Sequence, residues 1–179
     1  MSSMPEQRPG RSKQDYGTPP EFLSAVRKRL HIQNFFLDIA ASPDNAVCDN
    51  YLTEENNALS AVYDWLPADH PYTQEWGWLN PPFNNIAPWV EKASQQAKLG
   101  AHIAMLVPAS VGANWWRDYV EAFAYQSFLN GRITFVGCED PYPKDCALLL
   151  YTPWGFLGHE IWKWSGSVPK LQQPELGED

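Results

Sequence analysis

The sequence of 179 residues has little of what marks several common protein classes. Its three cysteines form no CxxC pair, and its four histidines form neither HxxxH nor HExxH, so the pattern supports no zinc site or metal catalysis. No apolar run reaches the roughly 18–20 residues that a membrane-spanning helix needs. The N-terminus also lacks the apolar core of a secretory signal. These absences predict a reducing, cytoplasmic location and no membrane partner.

Two further absences narrow the chemistry. The sequence contains no GxxxxGK[ST] and no GxSxG, so nucleotide kinases and serine hydrolases have no support. It also lacks positive charge: the net charge is −8, and the isoelectric point is near 4.9. A protein of this charge is not expected to grip duplex phosphates with its whole surface. Any contact with nucleic acid must therefore come from a local patch.

The composition suits one folded domain. With 44% hydrophobic and 14% aromatic residues, the chain can bury a sizeable core. Residues 1–15 and 166–179 are rich in Gly, Pro, Ser and charge, and they are predicted to be a flexible lead and a flexible tail. Residues 16–165 form the predicted domain.

Apolar patterning predicts alternating strands and helices. The stretch TPPE has the spacing of a capping box, with Thr18 as the N-cap, Pro19 at the first helical position and Glu21 at the third. A second helix carries Ile86 and Val90 and stops at Gly100, and a third is predicted over residues 114–126. The predicted strands are 35–42, a weak one within 45–53, 76–79, 101–108, 131–137 and 146–154. This alternation predicts an α/β fold: a mostly parallel central sheet with helices on both faces and an antiparallel edge hairpin made by the last two strands.

Two polar residues stand where predicted parallel strands end. Asp38 belongs to the first strand, and Asn80 follows the strand 76–79. In open α/β sheets, ligands bind beyond the carboxyl ends of the strands. We therefore expect Asp38 and Asn80 to face a shared crevice.

The stretch NPPF at 80–83 suits the methylation of a planar amino group. The lone pair of such a group is delocalised into the ring, so two acceptors must bind its hydrogens and favour a tetrahedral nitrogen. The Asn80 side-chain oxygen and the Pro81 carbonyl could do this, while Pro82 stiffens the backbone. Phe83 offers a flat face to the base, worth about 1–3 kcal/mol in stacking. A base in a duplex must first be flipped out.

The tetrapeptide resembles the (N/D)PP(Y/F/W) signature of amino-methyltransferases. The wider sequence resembles the small phage-type DNA N6-adenine methyltransferases over most of residues 16–152. The matching pieces are TPPEFLSAVRKRL, FFLDIAASPDNAVCDNYLTEENNALS, WGWLNPPFNNIAPWVEKA, AHIAMLVPASVGANWW and GRITFVG. This resemblance implies a Rossmann-like fold that uses S-adenosyl-L-methionine (SAM). It also implies action on DNA in the cytoplasm of a bacterial or phage-infected host cell.

The resemblance also assigns residues to roles. Asn80, Pro81, Pro82 and Phe83 match the catalytic motif. Cofactor-binding roles are implied for Asp38, Ala40 and Ala41 after the first strand, for Thr18 and Pro19 at the methionine end of SAM, and for Asn57, in the segment EENNAL expected near the ribose and adenine of SAM.

Two alternatives remain open from the sequence. The same chemistry would act on an RNA base or a protein glutamine amide, which also present a planar amino group, and the acidic composition mildly favours a substrate other than DNA. A catalytically silent SAM-binding or DNA-mimicking protein would also carry a charge of −8, although such a mimic has no need of the NPPF turn. The oligomeric state is not indicated.

Overall fold

The computed structural model describes residues 16–67 and 74–165, which fold around a six-stranded sheet. The predictions for 1–15 and 166–179 fall outside the described residues. The helices are α1 (Pro20–Leu30), α2 (Ala87–Lys98) and α3 (Asn114–Tyr119), with a 3-10 turn at Glu54–Asn56. The strands are β1 (Leu37–Asp38), β2 (Trp76–Leu79), β3 (His102–Pro108), β4 (Ala124–Asn130), β5 (Cys146–Tyr151) and β6 (Gly158–Lys163). Among the described residues, no helix is long and apolar enough to cross a membrane.

The sheet is mostly parallel, as predicted. Its strand order is β1-β2-β3-β5-β4-β6, and β5 runs antiparallel to both of its neighbours while the other neighbouring pairs are parallel. The predicted edge hairpin is wrong. β4 and β5 are indeed antiparallel neighbours, but β5 lies inside the sheet between β3 and β4, and β6 forms the edge. β6 was not predicted, because most of its side chains are exposed and its apolar pattern is weak.

The core fills both sides of the sheet. The central strands β3 and β5 are buried along their whole length, since helices cover both faces. On one face, α1 packs through Phe22 and Val26. On the other, α2 packs through Val90 and α3 through Trp116. The prediction of helices on both faces is confirmed.

The chain changes direction across the sheet at β1. On one side of β1, the Asp38 amide donates to the carbonyl of Asn50 and its carbonyl accepts from Leu52; on the other, the Ile39 amide donates to the carbonyl of Trp78 in β2. The predicted weak strand in 45–53 is therefore present as one parallel bridge at Tyr51. After β1, the chain first pairs with one edge of this strand at residues 50–52 and then returns to pair with its other edge as β2. The carboxyl end of β1 is therefore a topological switch point, where such sheets bind ligands.

Two predicted elements near residue 125 are wrong. The third helix ends at Tyr119, and residues 124–130 form β4 instead of the end of that helix. Apolar spacing there fits either structure, and pairing with β5 and β6, which lie far away in sequence, decides for a strand. The predicted strand 131–137 is an irregular segment. Buried and exposed residues alternate in this segment, as in a strand, because Ile133 and Phe135 pack against the α1 face of the sheet. The segment does not pair with a strand of the sheet.

The predicted capping box at Thr18 is also wrong. Helix α1 starts one residue later, with Pro19 in the cap position, and no side chain caps its end. Pro19 and Pro20 remove two backbone donors, so the helix end needs less capping. The Thr18 hydroxyl instead accepts a hydrogen bond from Asn80.

Candidate active site

The NPPF stretch forms the corner between β2 and α2, as predicted. β2 ends at Leu79, and α2 begins at Ala87. Pro81 is buried, whereas Asn80, Pro82 and Phe83 are partly exposed. The corner lies at the carboxyl end of β2 and next to the switch point at β1. The sequence thus places polar and aromatic groups where this type of sheet binds ligands.

The structure brings Asp38 and Asn80 together, as expected from their positions at strand ends. Both line a small cavity of about 10 Å³, together with Thr18 and Ala40. That volume is close to the minimum that holds one water molecule. Asn80 Nδ2 donates to Thr18 Oγ1 over 3.2 Å. This bond orients the amide so that its nitrogen faces Thr18 and its oxygen, Oδ1, faces away.

Asp38 is a buried carboxylate held by backbone amides. Only 3% of the residue is exposed. Oδ2 accepts from the Val47 amide over 3.0 Å, and Oδ1 accepts from the Ala40 amide over 3.4 Å. Burial raises its pKa from 3.8 to about 6, against the opposing effect of these two bonds. The buried charge of Asp38 is therefore costly. Its two hydrogen bonds connect Ala40 and Val47, at the two ends of the loop after β1.

A much larger cleft of about 850 Å³ opens beside the small cavity, and Ala40 lines both. Four residues with predicted roles line this cleft: Ala40, Ala41, Asn57 and Pro82. Asp38, Asn80 and Thr18 line the small cavity instead. Pro19 and Pro81 are buried, and Phe83 is partly exposed; these three do not appear in the lining of either cavity.

The cleft also has lining residues that the sequence reasoning missed. Glu54 and Glu55 belong to it, as does Trp89 of α2. The two acids belong to EENNAL, the segment expected near the ribose, so their position in the sequence could have identified them as lining residues. Trp89 has the helical spacing of an apolar face together with Ile86 and Val90, and this spacing alone does not separate a core residue from one that lines a cleft. Asn57 has a left-handed backbone, with φ of 51°, and ends the 3-10 turn that carries both acids.

Phe83 lies in a cluster of three aromatic rings. Its centroid is 5.3 Å from that of Tyr142 and 5.9 Å from that of Phe135, and both pairs meet edge to face. Phe135 and Tyr142 also meet edge to face, at 5.9 Å. Such contacts fix the plane of the Phe83 ring before any ligand arrives. Among the described residues, no group of His, Cys, Asp and Glu is arranged to hold a metal ion.

Comparison with known proteins gives a consistent family assignment. The model of the DNA N-6-adenine-methyltransferase (Dam) family matches residues 7–148, which include every candidate site residue. The DNA N-6-adenine-methyltransferase of Escherichia phage T1 is 31% identical over 103 residues, which cover 58% of this chain and 39% of that protein. The protein of the same name from Haemophilus phage HP1 is 27% identical over 150 residues, 80% of this chain and 82% of that one. No solved structure matches. The chain belongs to the DNA N-6-adenine-methyltransferase (Dam) family.

Proposed function

We propose that this chain transfers a methyl group from S-adenosyl-L-methionine to the N6 amino group of adenine in DNA, on a Rossmann-like methyltransferase fold. One observation carries the proposal. The amide of Asn80 lies in a small polar cavity whose wall, at Ala40, is shared with a cleft large enough for a nucleoside cofactor. A methyl donor in the cleft and an amino acceptor at the corner would therefore be neighbours.

The residues of the cleft suit SAM. Its volume of about 850 Å³ falls in the range of roughly 300–1,000 Å³ that is typical of small-molecule sites. Ala40 and Ala41 leave the backbone accessible to the methionine part, and the carboxylates of Glu54 and Glu55 suit the ribose hydroxyls. The flat ring of Trp89 suits the adenine of SAM. When bound, SAM supplies an electrophilic methyl group on a sulfonium.

The corner prepares the acceptor. Asn80 Oδ1, which faces away from Thr18, and the Pro81 carbonyl would accept the two hydrogens of the amino group and favour its tetrahedral form. Neither group is a strong base, so catalysis would depend on orientation and on fixed dipoles. The negative charge of Asp38 complements the ammonium of the methionine part. Phe83, with its plane fixed by Phe135 and Tyr142, would stack on the flipped base.

The test compares substrates. Purified protein is incubated with tritium-labelled SAM and with DNA, RNA or a glutamine-bearing protein, and the incorporated label is counted. We expect incorporation into adenine-containing DNA and little into the others. Label in RNA or protein alone would replace DNA by one of those substrates. Tight SAM binding in calorimetry without transfer to any of the three would instead indicate a non-catalytic SAM-binding protein. We place this activity in the cytoplasm of a bacterial or phage-infected host cell, where DNA and SAM are both present.

Thr18 offers a prediction about how the amide is held. Thr18→Val keeps the shape of the side chain but removes the acceptor of the Asn80 bond. We expect kcat to fall about tenfold, because the amide loses its fixed orientation, while the KM for SAM stays within about threefold. Thr18→Ser, which keeps the hydroxyl, should retain most of the activity. A raised KM for SAM with unchanged kcat would instead give Thr18 the cofactor contact that the family resemblance implies.

A further inference from the structure

A lysine of α2 is buried beside the large cleft. Lys92 is 8% exposed. Its Nζ donates to the carbonyls of Ala58 and Tyr63, both over 2.7 Å, and to that of Ser60. An ammonium has three hydrogens to donate, so these three bonds use all of them. The lysine thus gathers three carbonyls of one segment around a single point.

Gln96, one helical turn further along α2, holds the same segment a second time. Its Oε1 accepts from the Trp65 amide over 2.8 Å, and its Nε2 donates to Asp64 over 3.3 Å. The Lys92 ammonium also lies 5.2 Å from the centre of the Trp65 ring. Positions four apart share one face of a helix, so Lys92 and Gln96 bind residues 58–65 from the same face of α2.

The fastened segment forms part of the cleft wall. Ala58 and Leu59 line the cleft, and the buried Trp65 stacks on Trp89, another lining residue, with centroids 6.3 Å apart. Residues 57–65 contain neither helix nor strand. The backbone of this segment makes turn bonds, from the Ser60 amide to Asn57 and from the Tyr63 amide to Ser60, and the side chains of α2 supply the bonds that hold it against the rest of the fold.

The chemistry argues for a specific role. Burial lowers the pKa of Lys92, and the nearby charge of Asp64 only partly opposes this. A methionine at this position would fill similar space without the cost of desolvating an ammonium. The charge gives what an apolar side chain cannot: donors that hold three carbonyls of an irregular loop at one point. These bonds add to those that the Ala58 carbonyl accepts from the Trp65 indole and the Ser60 carbonyl accepts from the Tyr63 amide.

We infer that Lys92, assisted by Gln96, is a positioning residue that shapes the cleft wall at 57–65 and thereby sets the affinity for the cofactor. The inference rests on the proposed function in that SAM is taken as the occupant of the cleft. Lys92 acts through Ala58, Leu59 and Trp89, and it is not assigned any contact with the cofactor itself.

The test compares Lys92→Met with Lys98→Met, a matched loss of charge at an exposed position of the same helix. We expect Lys92→Met to weaken SAM binding in calorimetry tenfold or more and Lys98→Met to change it less than about twofold. In Lys92→Met, kcat at saturating SAM and the KM for DNA should stay within about threefold. The backbone amides of residues 58–65 should exchange hydrogen at least about tenfold faster, with β3 and β5 unchanged.

The outcomes separate this inference from the proposed function. A lower melting temperature of Lys92→Met with unchanged SAM affinity would show a purely structural lysine and overturn the inference. If the unaltered protein binds no SAM, the proposed function fails, while hydrogen exchange still tests whether Lys92 holds the wall. If Lys92→Met does not fold, Gln96→Met removes the second tether. It should then weaken SAM binding about threefold or more, and unchanged binding would contradict the inference.

Discussion

Replacing Asn80 by alanine is expected to lower kcat for adenine methylation by about 10²–10³-fold, the usual effect of removing one preorganised polar group from a site of developing charge. The Asn80 amide lies at the small cavity and is oriented by Thr18. It does not line the large cleft. The dissociation constant for SAM, measured by calorimetry, should therefore stay within about threefold.

A matched variant sharpens this prediction. Asn80→Asp keeps an acceptor oxygen, and the Thr18 hydroxyl can donate to a carboxylate where it accepted from the amide. We expect Asn80→Asp to keep activity within about tenfold of the unaltered chain. An Asn80→Ala protein that is folded and methylates DNA at a rate close to that of the unaltered chain would remove Asn80 from the catalytic group.

The second large effect is expected at Asp38 and depends on pH. Its carboxyl has a pKa of about 6 in the folded protein, against an ordinary value of 3.8 for an aspartate in the unfolded chain. Between these values the folded state binds the proton more tightly, so the free energy of unfolding falls as pH rises from about 4 to 6. Asp38→Asn removes this titration. Between pH 4 and pH 7.5, the stability of the variant relative to the unaltered chain should rise by about 2 kcal/mol, as measured by urea unfolding.

The same substitution should also harm function. Like Asn80, Asp38 does not line the large cleft, but its carboxylate accepts from the amide of Ala40, which does line it. An asparagine places an amide nitrogen against a backbone amide of this loop and removes the charge that complements the ammonium of SAM. We expect SAM binding at pH 7.5 to weaken tenfold or more. In the unaltered chain, kcat/KM for SAM should rise with pH, with an apparent pKa near 6. If Asp38→Asn and the unaltered chain show the same pH dependence of stability and bind SAM equally well, then the raised pKa of Asp38 and its role in SAM binding are both contradicted.

Local patterns were enough to predict the centre of the site. The strand 76–79, the rigid corner and the helix after it follow from a short apolar run, two prolines and helical spacing, and the structure has all three. The meeting of Asp38 and Asn80 followed from a general rule about strand ends, since parallel strands bring their carboxyl ends to one edge.

The predictions that were wrong, or were not made, concern residues whose partners are distant in sequence. Residues 124–130 have apolar spacing that suits a helix, and only the neighbouring β5 and β6 make them a strand. Thr18 has the sequence context of a helix cap, but its hydroxyl is used by Asn80, 62 residues away. The burial of Lys92 and its bonds could not be predicted from the sequence, because its three carbonyl partners lie 29 to 34 residues before it in an irregular loop.

The central claim is methyl transfer to adenine N6 at the Asn80 corner, and mass spectrometry of DNA nucleosides tests it most directly. DNA is incubated with SAM that carries a deuterated methyl group, together with the unaltered chain or with Asn80→Ala, and is then digested. The account predicts deuteromethylated N6-methyldeoxyadenosine with the unaltered chain and almost none with the variant. Deuterium on another base, or equal amounts from both proteins, would contradict it.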